Sequence, residues 1–379
     1  MKKIKNKFII ILIVVVIAIV YSVVSPPKAR FDIKECKVFY TNNSYIYASG
    51  NKIYQMNDNQ DTDVIYQTEE CYSIYCDDEY IYIVEFVDGD YDPFIIKLDK
   101  KGNVIKKSHP KIRALYSEED IKHGYKNYNH EISIKAVIDD HIYAIEEHEG
   151  VTHLFDKDSL EPVELKLGNE KRIDGDLMVS EADDMYYFYY CNNKKEIQIE
   201  SIVKDDIIYK FRGIWGGNYC NGKYFINDSQ LSDFLTYDLK SGNIERKEDY
   251  FEQSKANGFI ITSNKIESNR IIITSNSHTR LIDKDYYKMH DCISIIDADT
   301  TNIVSEHLFH LKEQIIYADM EKVVTYYHGK YITYSAKDWK KLSSQKAPEI
   351  KKGGKYSFDA CGDYVFVFDE NTGKLLNKI

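Results

Sequence analysis

The chain has 379 residues, 43% of them hydrophobic and only six of them proline, and it carries 50 Lys and Arg against 61 Asp and Glu. That composition excludes intrinsic disorder and supplies enough apolar side chain for one large core or two ordinary ones. It also argues against a nucleic-acid partner, because counterion release from phosphate needs clustered cations, and here the cations are scattered among more numerous acids.

Residues 1–7 are a basic leader with Lys2, Lys3, Lys5 and Lys7, followed from Phe8 to Val24 by an uncharged run, FIIILIVVVIAIVYSVV. A helix of about 17 residues at roughly 1.5 Å per residue spans most of a hydrocarbon core of roughly 30 Å, and it exceeds the apolar segment of a secretory signal, roughly 7–15 residues. Cleavage is poorly served: small residues are weakly placed around Ser22, and a cut after Ser25 would put Pro26 first. No cysteine suited to lipid attachment follows, the first being Cys36. Residues 8–25 are therefore predicted to be a retained transmembrane signal anchor, with a cleaved signal as the alternative. The lysines before the span outnumber Lys28 and Arg30 after it, which favours a cytoplasmic N-terminus. The predicted organisation is a cytoplasmic leader (1–7), an anchor (8–25), a linker (26–35) and an extracytoplasmic domain (36–379), making a single-pass protein of the cell membrane.

Beyond residue 31 short alternating runs of Tyr, Ile, Val and Phe stand between Asp, Asn and Gly turns, the pattern of strands in an all-β fold. A polar turn pair, one variable residue and an aromatic or β-branched strand recur: Asn42-Asn43 before SYIY, Asp77-Asp78 before EYIYIV, Asp139-Asp140 before HIYAI, and Asp183-Asp184 before MYYFYY. The series continues with Asn221-Gly222 before KYFI, Ser268-Asn269 before RIII, His328-Gly329 before KYITY, and Cys361-Gly362 before DYVFVF. Such pairs suit the left-handed conformations of tight hairpins. A second pattern places a hydrophobic residue and an Asp before a turn: Leu98-Asp99, Phe155-Asp156, Tyr237-Asp238, Ile296-Asp297 and Phe368-Asp369, where the carboxylate is predicted to accept from turn amides. Together they describe a unit of four strands repeating every 46 residues or so, about the length of a propeller blade.

These D-x-x-x/T-G-x-Φ hairpins (Φ, hydrophobic) and the Y-I-Y strands after D/N turns resemble bacterial extracytoplasmic β-propellers built from quinoprotein-like and YWTD-like blades, over about residues 36–379. The resemblance implies a single all-β propeller; the spacing favours seven blades, with six and eight open. Quinoprotein blades repeat a docking tryptophan, whereas this chain has only Trp215 and Trp339, out of phase, and the YWTD strand is absent. Quinone binding therefore does not carry over, and no cofactor is assigned. Closure is expected to pair a strand near Val38–Tyr40 with one near Tyr364–Phe368. Two stretches, residues 113–131 and 305–321, read as irregular, the first part-helical.

Candidates for chemistry are few. Asp88, Asp90 and Asp92 with Asp99 resemble the acidic frame of a calcium loop, but Pro93 stands where the sharp turn needs Gly, and a solvated acidic turn is expected. Asp297, Asp299 and Thr301 form a weaker version. His148 and His153 flank a hairpin beside Glu146 and Glu147, a possible zinc or copper pair short of a third fixed ligand. His307 and His310 have the spacing of one helical face. The 33 tyrosines are read as sheet packing. Seven cysteines, an odd number, show no zinc-type spacing; Cys71 and Cys76, five apart on a strand, are expected on opposite faces and unbridged. No G-x-S-x-G, P-loop or H-E-x-x-H motif occurs. No catalytic, cofactor or metal residue is assigned. The leading expectation is a membrane-anchored scaffold that binds a protein, peptide or envelope ligand such as a glycan; the alternative is a propeller hydrolase or lyase acting on glycans or small esters. An enzyme should gather ionisable groups from several blades, and a binding module should expose an aromatic patch.

Overall fold

The structure, a computed structural model, describes residues 29–32, 38–57, 59, 61–86, 92–112, 131–146, 150–191, 196–211, 217–227, 234–248, 259–267, 269–277, 291–310, 313–347, 350–351, 354–361, 364–369 and 371–379. The predicted leader and anchor and the insertion over 113–130 lie outside these residues. Among the described residues no helix is long and apolar enough to cross a membrane.

Eight sheets form. β1 (Ala29–Asp32), inside the stretch read as linker, belongs to the eighth. The first sheet is β2 (Val38–Thr41), β3 (Ser44–Ser49), β4 (Lys52–Asn57) and β5 (Thr62–Gln67); the second is β6 (Glu70–Cys76), β7 (Tyr80–Phe86), β8 (Phe94–Asp99) and β9 (Val104–Ser108). The third is β10 (Ile132–Ile138), β11 (His141–Glu146), β12 (Thr152–Asp156) and β13 (Pro162–Val163). The fourth has five strands, β14 (Asn169–Asp174), β15 (Leu177–Ala182), β16 (Met185–Cys191), β17 (Ile197–Lys204) and β18 (Ile207–Lys210). The fifth is β19 (Asn218–Cys220), β20 (Lys223–Asn227), β21 (Phe234–Asp238) and β22 (Ile244–Lys247). The sixth is β23 (Phe259–Glu267), β24 (Arg270–Ser277), β25 (Asp291–Asp297) and β26 (Ile303–Leu308), and the seventh β27 (Gln314–Ala318), β28 (Lys322–Tyr327), β29 (Lys330–Ser335) and β30 (Lys341–Lys346). In the eighth, β1 flanks β31 (Gly354–Cys361), β32 (Tyr364–Asp369) and β33 (Leu375–Lys378). Two compact units result. The larger (33–227, 235–246, 357–379) carries the first five sheets and most of the eighth, and the smaller (1–32, 228–234, 247–356) carries the sixth and seventh.

Meanders of this kind are the blades of a β-propeller. Eight stand where the spacing favoured seven, and each of the eight turn pairs falls in a different sheet. The uneven spacing of the pairs has a structural cause. They join the first and second strands of most sheets, but the second and third in the fourth, seventh and eighth. The expected closure differs too: β2 pairs with β3, not with β32, and β1 is the strand added to the eighth sheet. The stretch 305–321 forms the ends of β26 and all of β27 instead of an irregular segment.

Turn chemistry explains these strands. Asn42 and Asn43 take φ of 49° and 58°, Asp183 and Asp184 50° and 58°, the left-handed pairs that match the twist of antiparallel strands. Asp77 works differently, its carboxylate accepting from the amides of Glu79 (2.8 Å) and Tyr80 (2.6 Å). In the second pattern Asp156 accepts from the Ser159 amide (2.6 Å), Asp238 from Ser241 (2.7 Å), Asp297 from Thr300 (2.9 Å) and Asp369 from Thr372 (3.0 Å), as predicted for turn acceptors.

Within the larger unit the fourth sheet is threaded in reverse. β18 lies beside β10 of the third sheet and β19 of the fifth, whereas β14 lies by the outer hairpin of the fifth, where Lys171 Nζ donates to the Gly242 carbonyl (2.5 Å). The chain therefore enters at the outer edge and leaves at the inner one. Lys204 pairs with Asp139 and Tyr219 donates to Asp206, so the turns after β10, β17 and β19 share one end of the unit. β18 runs away from that end while β10 and β19 run toward it.

Within each unit neighbouring sheets meet through apolar layers, for example Tyr82, Val84, Ile95, Ile134, Ile142 and Phe155 between the second and third. Three of these layers are also pinned by a side chain that captures a backbone amide beside a β-bulge. Ser73 Oγ accepts from Ile134 N (3.1 Å), Thr152 Oγ1 from Ile199 N (2.9 Å) and Asp291 Oδ2 from Ile315 N (2.6 Å), and each donor adjoins a register break. A bulge in β6 between Cys71 and Ser73 corrects another expectation. The extra residue, Tyr72, shifts the alternation so that Cys71 pairs with Glu85 and Cys76 with Ile81, which places both thiols on the same face. None of the six described cysteines is in a disulfide, and burial pushes the thiols of Cys71 and Cys76 up to about 12.

Two glycines separate backbone strain from crowding. Gly222 (φ +76°) has open space where a Cβ would project, whereas Gly102 (φ +85°) would set that Cβ 2.0 Å from the Ile65 carbonyl oxygen in the first sheet. Gly222→Ala is expected to cost about 1 kcal/mol, the left-handed penalty alone, and Gly102→Ala at least about 2 kcal/mol more, since backbone must move. Urea unfolding of both variants checks the difference.

Candidate functional site

The acidic frame does not assemble as a cation loop among the described residues. Asp88 and Asp90 lie outside them, and Asp92 is buried with its carbonyl accepting from His109 Nε2 (3.2 Å). Asp99 is committed to its turn: Oδ1 accepts from the amides of Lys101 (2.9 Å) and Asn103 (2.8 Å), and Oδ2 from Asn103 Nδ2 (2.7 Å). The Asn103 side chain, with these amides, holds the Asp99 carboxyl below its ordinary range. In the weaker version Asp297 caps its own turn and Asp299 accepts from Asn269 Nδ2 (2.8 Å).

His153 pairs with buried Glu146 (3.2 Å), while His148 and Glu147 lie outside the described residues. His307 lies on a strand, not a helix. Its ring stacks on Trp339 (4.8 Å between centroids) and meets Phe309 edge-on, and burial pushes its pKa down. His310, beyond the strand, stacks on Tyr327 (6.0 Å). Among the described residues no three His, Cys, Asp or Glu side chains converge as a metal site.

Three arrangements emerge that the sequence did not single out. On the smaller unit, Glu313 is buried, with Oε1 accepting from Thr325 Oγ1 (2.6 Å) and Tyr334 OH (2.7 Å) and no hydrogen-bond partner for Oε2. Asp291 is its electrostatic neighbour. Burial, with the Glu313 charge adding to it, pushes the Asp291 carboxyl up to about 7 against the pull of the Ile315 amide. That amide bond is the one Ser73 and Thr152 make elsewhere, so Asp291 holds a packing position rather than a catalytic one.

On the larger unit, the reversed fourth sheet brings the last residue of β18 against the first of β19. Lys210 Nζ donates to Asn218 Oδ1 (2.6 Å), and burial lowers the Lys210 amine to about 7. Asn218 is 1% exposed, and its Nδ2 has no acceptor. Behind them Tyr224 OH takes the Gly217 amide (3.0 Å) and shares a hydrogen bond with Ser201 Oγ (2.6 Å), while its ring stacks on Phe188. Gly217 is needed for this approach, since a Cβ there would fall 2.0 Å from the Tyr224 ring. Buried Glu200 precedes Ser201, and its carboxylate, after burial itself, helps to hold the Tyr224 hydroxyl above its ordinary pKa.

The third arrangement is an aromatic patch. Tyr40, 51% exposed, packs at 4.9 Å on Tyr45, which also meets Tyr364, 36% exposed, at 5.8 Å. The Lys378 ammonium stands 3.7 Å over the Tyr364 ring and 4.7 Å from that of Tyr45.

No protein-family model matches the sequence, and no curated protein matches it either. Solved structures do. BamB from Moraxella catarrhalis is similar at a TM-score of 0.49 and 11% identity, over 89% of this chain and 92% of that one. Kluyveromyces lactis Hsv2p follows at 0.42 and 9%, over 84% and 99%, and the Cps50 (Swd1) β-propeller domain of Myceliophteria thermophila at 0.42 and 10%, over 92% and 97%.

Asp291 makes stability pH-dependent. Unfolded, it loses its proton near the ordinary carboxyl value of 3.8, whereas folded it keeps the proton to about 7. Between those values the native state binds more protons, so stability falls as pH rises, by up to about 1.4 kcal/mol per pH unit. Asp291→Asn keeps an acceptor for the Ile315 amide and is expected to flatten that slope. Chemical denaturation of both proteins across pH 4–8 measures it.

Proposed function

We propose that this chain is a membrane-anchored, extracytoplasmic β-propeller that binds a protein or peptide of the cell envelope. The observation that carries the reading is the patch of Tyr40, Tyr364 and Lys378. Two half-exposed tyrosines backed by a buried third give a rigid amphipathic surface that loses little side-chain entropy on binding, the kind of anchor that dominates protein interfaces. The buried Lys378 ammonium over the rings of Tyr45 and Tyr364 helps to fix them in place through cation–π attraction. The anchor rests on the uncharged run from Phe8 to Val24, and the outward orientation on the lysines that precede it. A partner of the envelope follows from that placement.

The test is site-specific photocrosslinking in native membranes, with a photoreactive phenylalanine analogue in place of Tyr364 or, as control, of exposed Val104 on the same unit, and an affinity tag ahead of Met1. A discrete adduct is expected from position 364 and not from 104, falling about tenfold when Tyr40→Ala removes part of the anchor. The same adducts from both positions, or none from 364, would sink the binding reading. Alkaline extraction of the same membranes separates the two halves of the proposal. The chain is expected to stay with the bilayer, and its release would remove the anchor.

A further inference from the structure

Lys210 and Asn218 end up side by side because of the reversed fourth sheet. The inner strands β6, β10, β18 and β19 lie next to one another in the larger unit, and this row is where four consecutive sheets approach most closely. At the end of the row away from the tight turns, the lysine amine fixes the Asn218 amide by donating to Oδ1 at 2.6 Å. Turning the amide over would set two donors against each other, so Nδ2 points away from the lysine. There it has no acceptor, although Asn218 is 1% exposed. A buried amide donor without a partner costs about 1–3 kcal/mol, a penalty that an arriving oxygen would remove. Lys210 as a whole is half-buried, whereas Asn218 is almost fully enclosed.

We propose that the Lys210 amine and the Asn218 amide form a subsite for a carboxylate, one donor for each oxygen. A phosphate, with more oxygens and more charge, would need more donors than this pair offers. The inference stands apart from the aromatic patch and does not depend on it. It carries a thermodynamic signature as well. Burial holds the amine at about 7, so at pH 8 most of it is neutral. A bound anion favours the ammonium, and binding then draws a proton from solution.

The experiment is calorimetric titration of the full-length protein in detergent with acetate at pH 8, in two buffers of different ionisation heat, with inorganic phosphate and methylammonium as comparison probes. Acetate is expected to bind with uptake approaching one proton per site, phosphate at least tenfold more weakly, and methylammonium not at all. Lys210→Met is expected to abolish both binding and uptake. Asn218→Asp supplies a carboxylate from the chain itself and is expected to abolish acetate binding while leaving the melting transition intact, which separates loss of the site from loss of the fold. Absence of acetate binding, binding without proton uptake, phosphate binding as tight as acetate, or binding that persists in Asn218→Asp would overturn the proposal.

Discussion

A backbone amide buried beside a β-bulge has to find an acceptor, and the packing of these sheets is organised around that need. Ser73, Thr152 and Asp291 answer it in the same way, each reaching from one sheet to the amide of an isoleucine on the next. Apolar layers alone would let two twisted faces slide, because dispersion and burial have no direction. In these three layers the captured amide gives a fixed register at the cost of one short polar side chain. The same logic accounts for a carboxyl at position 291, where the hydroxyl residues of the other layers are replaced by a group that titrates.

Much of the architecture is legible in the sequence because it is local. A left-handed Asn-Asn or Asp-Asp pair writes its own hairpin, and an Asp whose carboxylate accepts from the amides just after it writes the next one. Both signals survive without any knowledge of what packs where. The pair Asp205-Asp206, with φ of 49° and 62°, is the same signal again. It introduces β18, the strand that makes the fourth sheet odd, but IIYK is short and ends in a charge, so the signal is weak in the sequence.

What stayed hidden depends on long-range geometry. One bulge at Tyr72 is enough to turn Cys71 from one face to the other, and no residue there announces it. His307 and Trp339 stand out in the sequence as separate oddities, yet they are one stacked pair across β26 and the β29–β30 turn. Lys210 and Asn218 look like an ordinary solvated lysine and a loop asparagine. Their meeting is set by the direction in which the fourth sheet is threaded, a property of the whole sheet that has no marker in a short window. Tyr40 and Tyr364, from opposite ends of the chain, have the strand pattern of packing tyrosines; Tyr45 beneath them is buried, whereas their own rings stay exposed.

The reversed fourth sheet bears on how the repeat should be compared with itself. A four-stranded sheet that starts at its inner edge returns the chain to the end from which it set out, so adjacent copies stay in phase and can arise by tandem duplication. Residues 164–168 instead carry the chain to the far end of an outer strand, and five strands later it emerges next to β19 with the order inverted. A self-alignment that assumes one continuous phase therefore breaks at residue 164 and resumes at 217. Between those residues the Asp183-Asp184 turn joins the second and third strands of its sheet, whereas the turn pairs of the third and fifth sheets join the first and second.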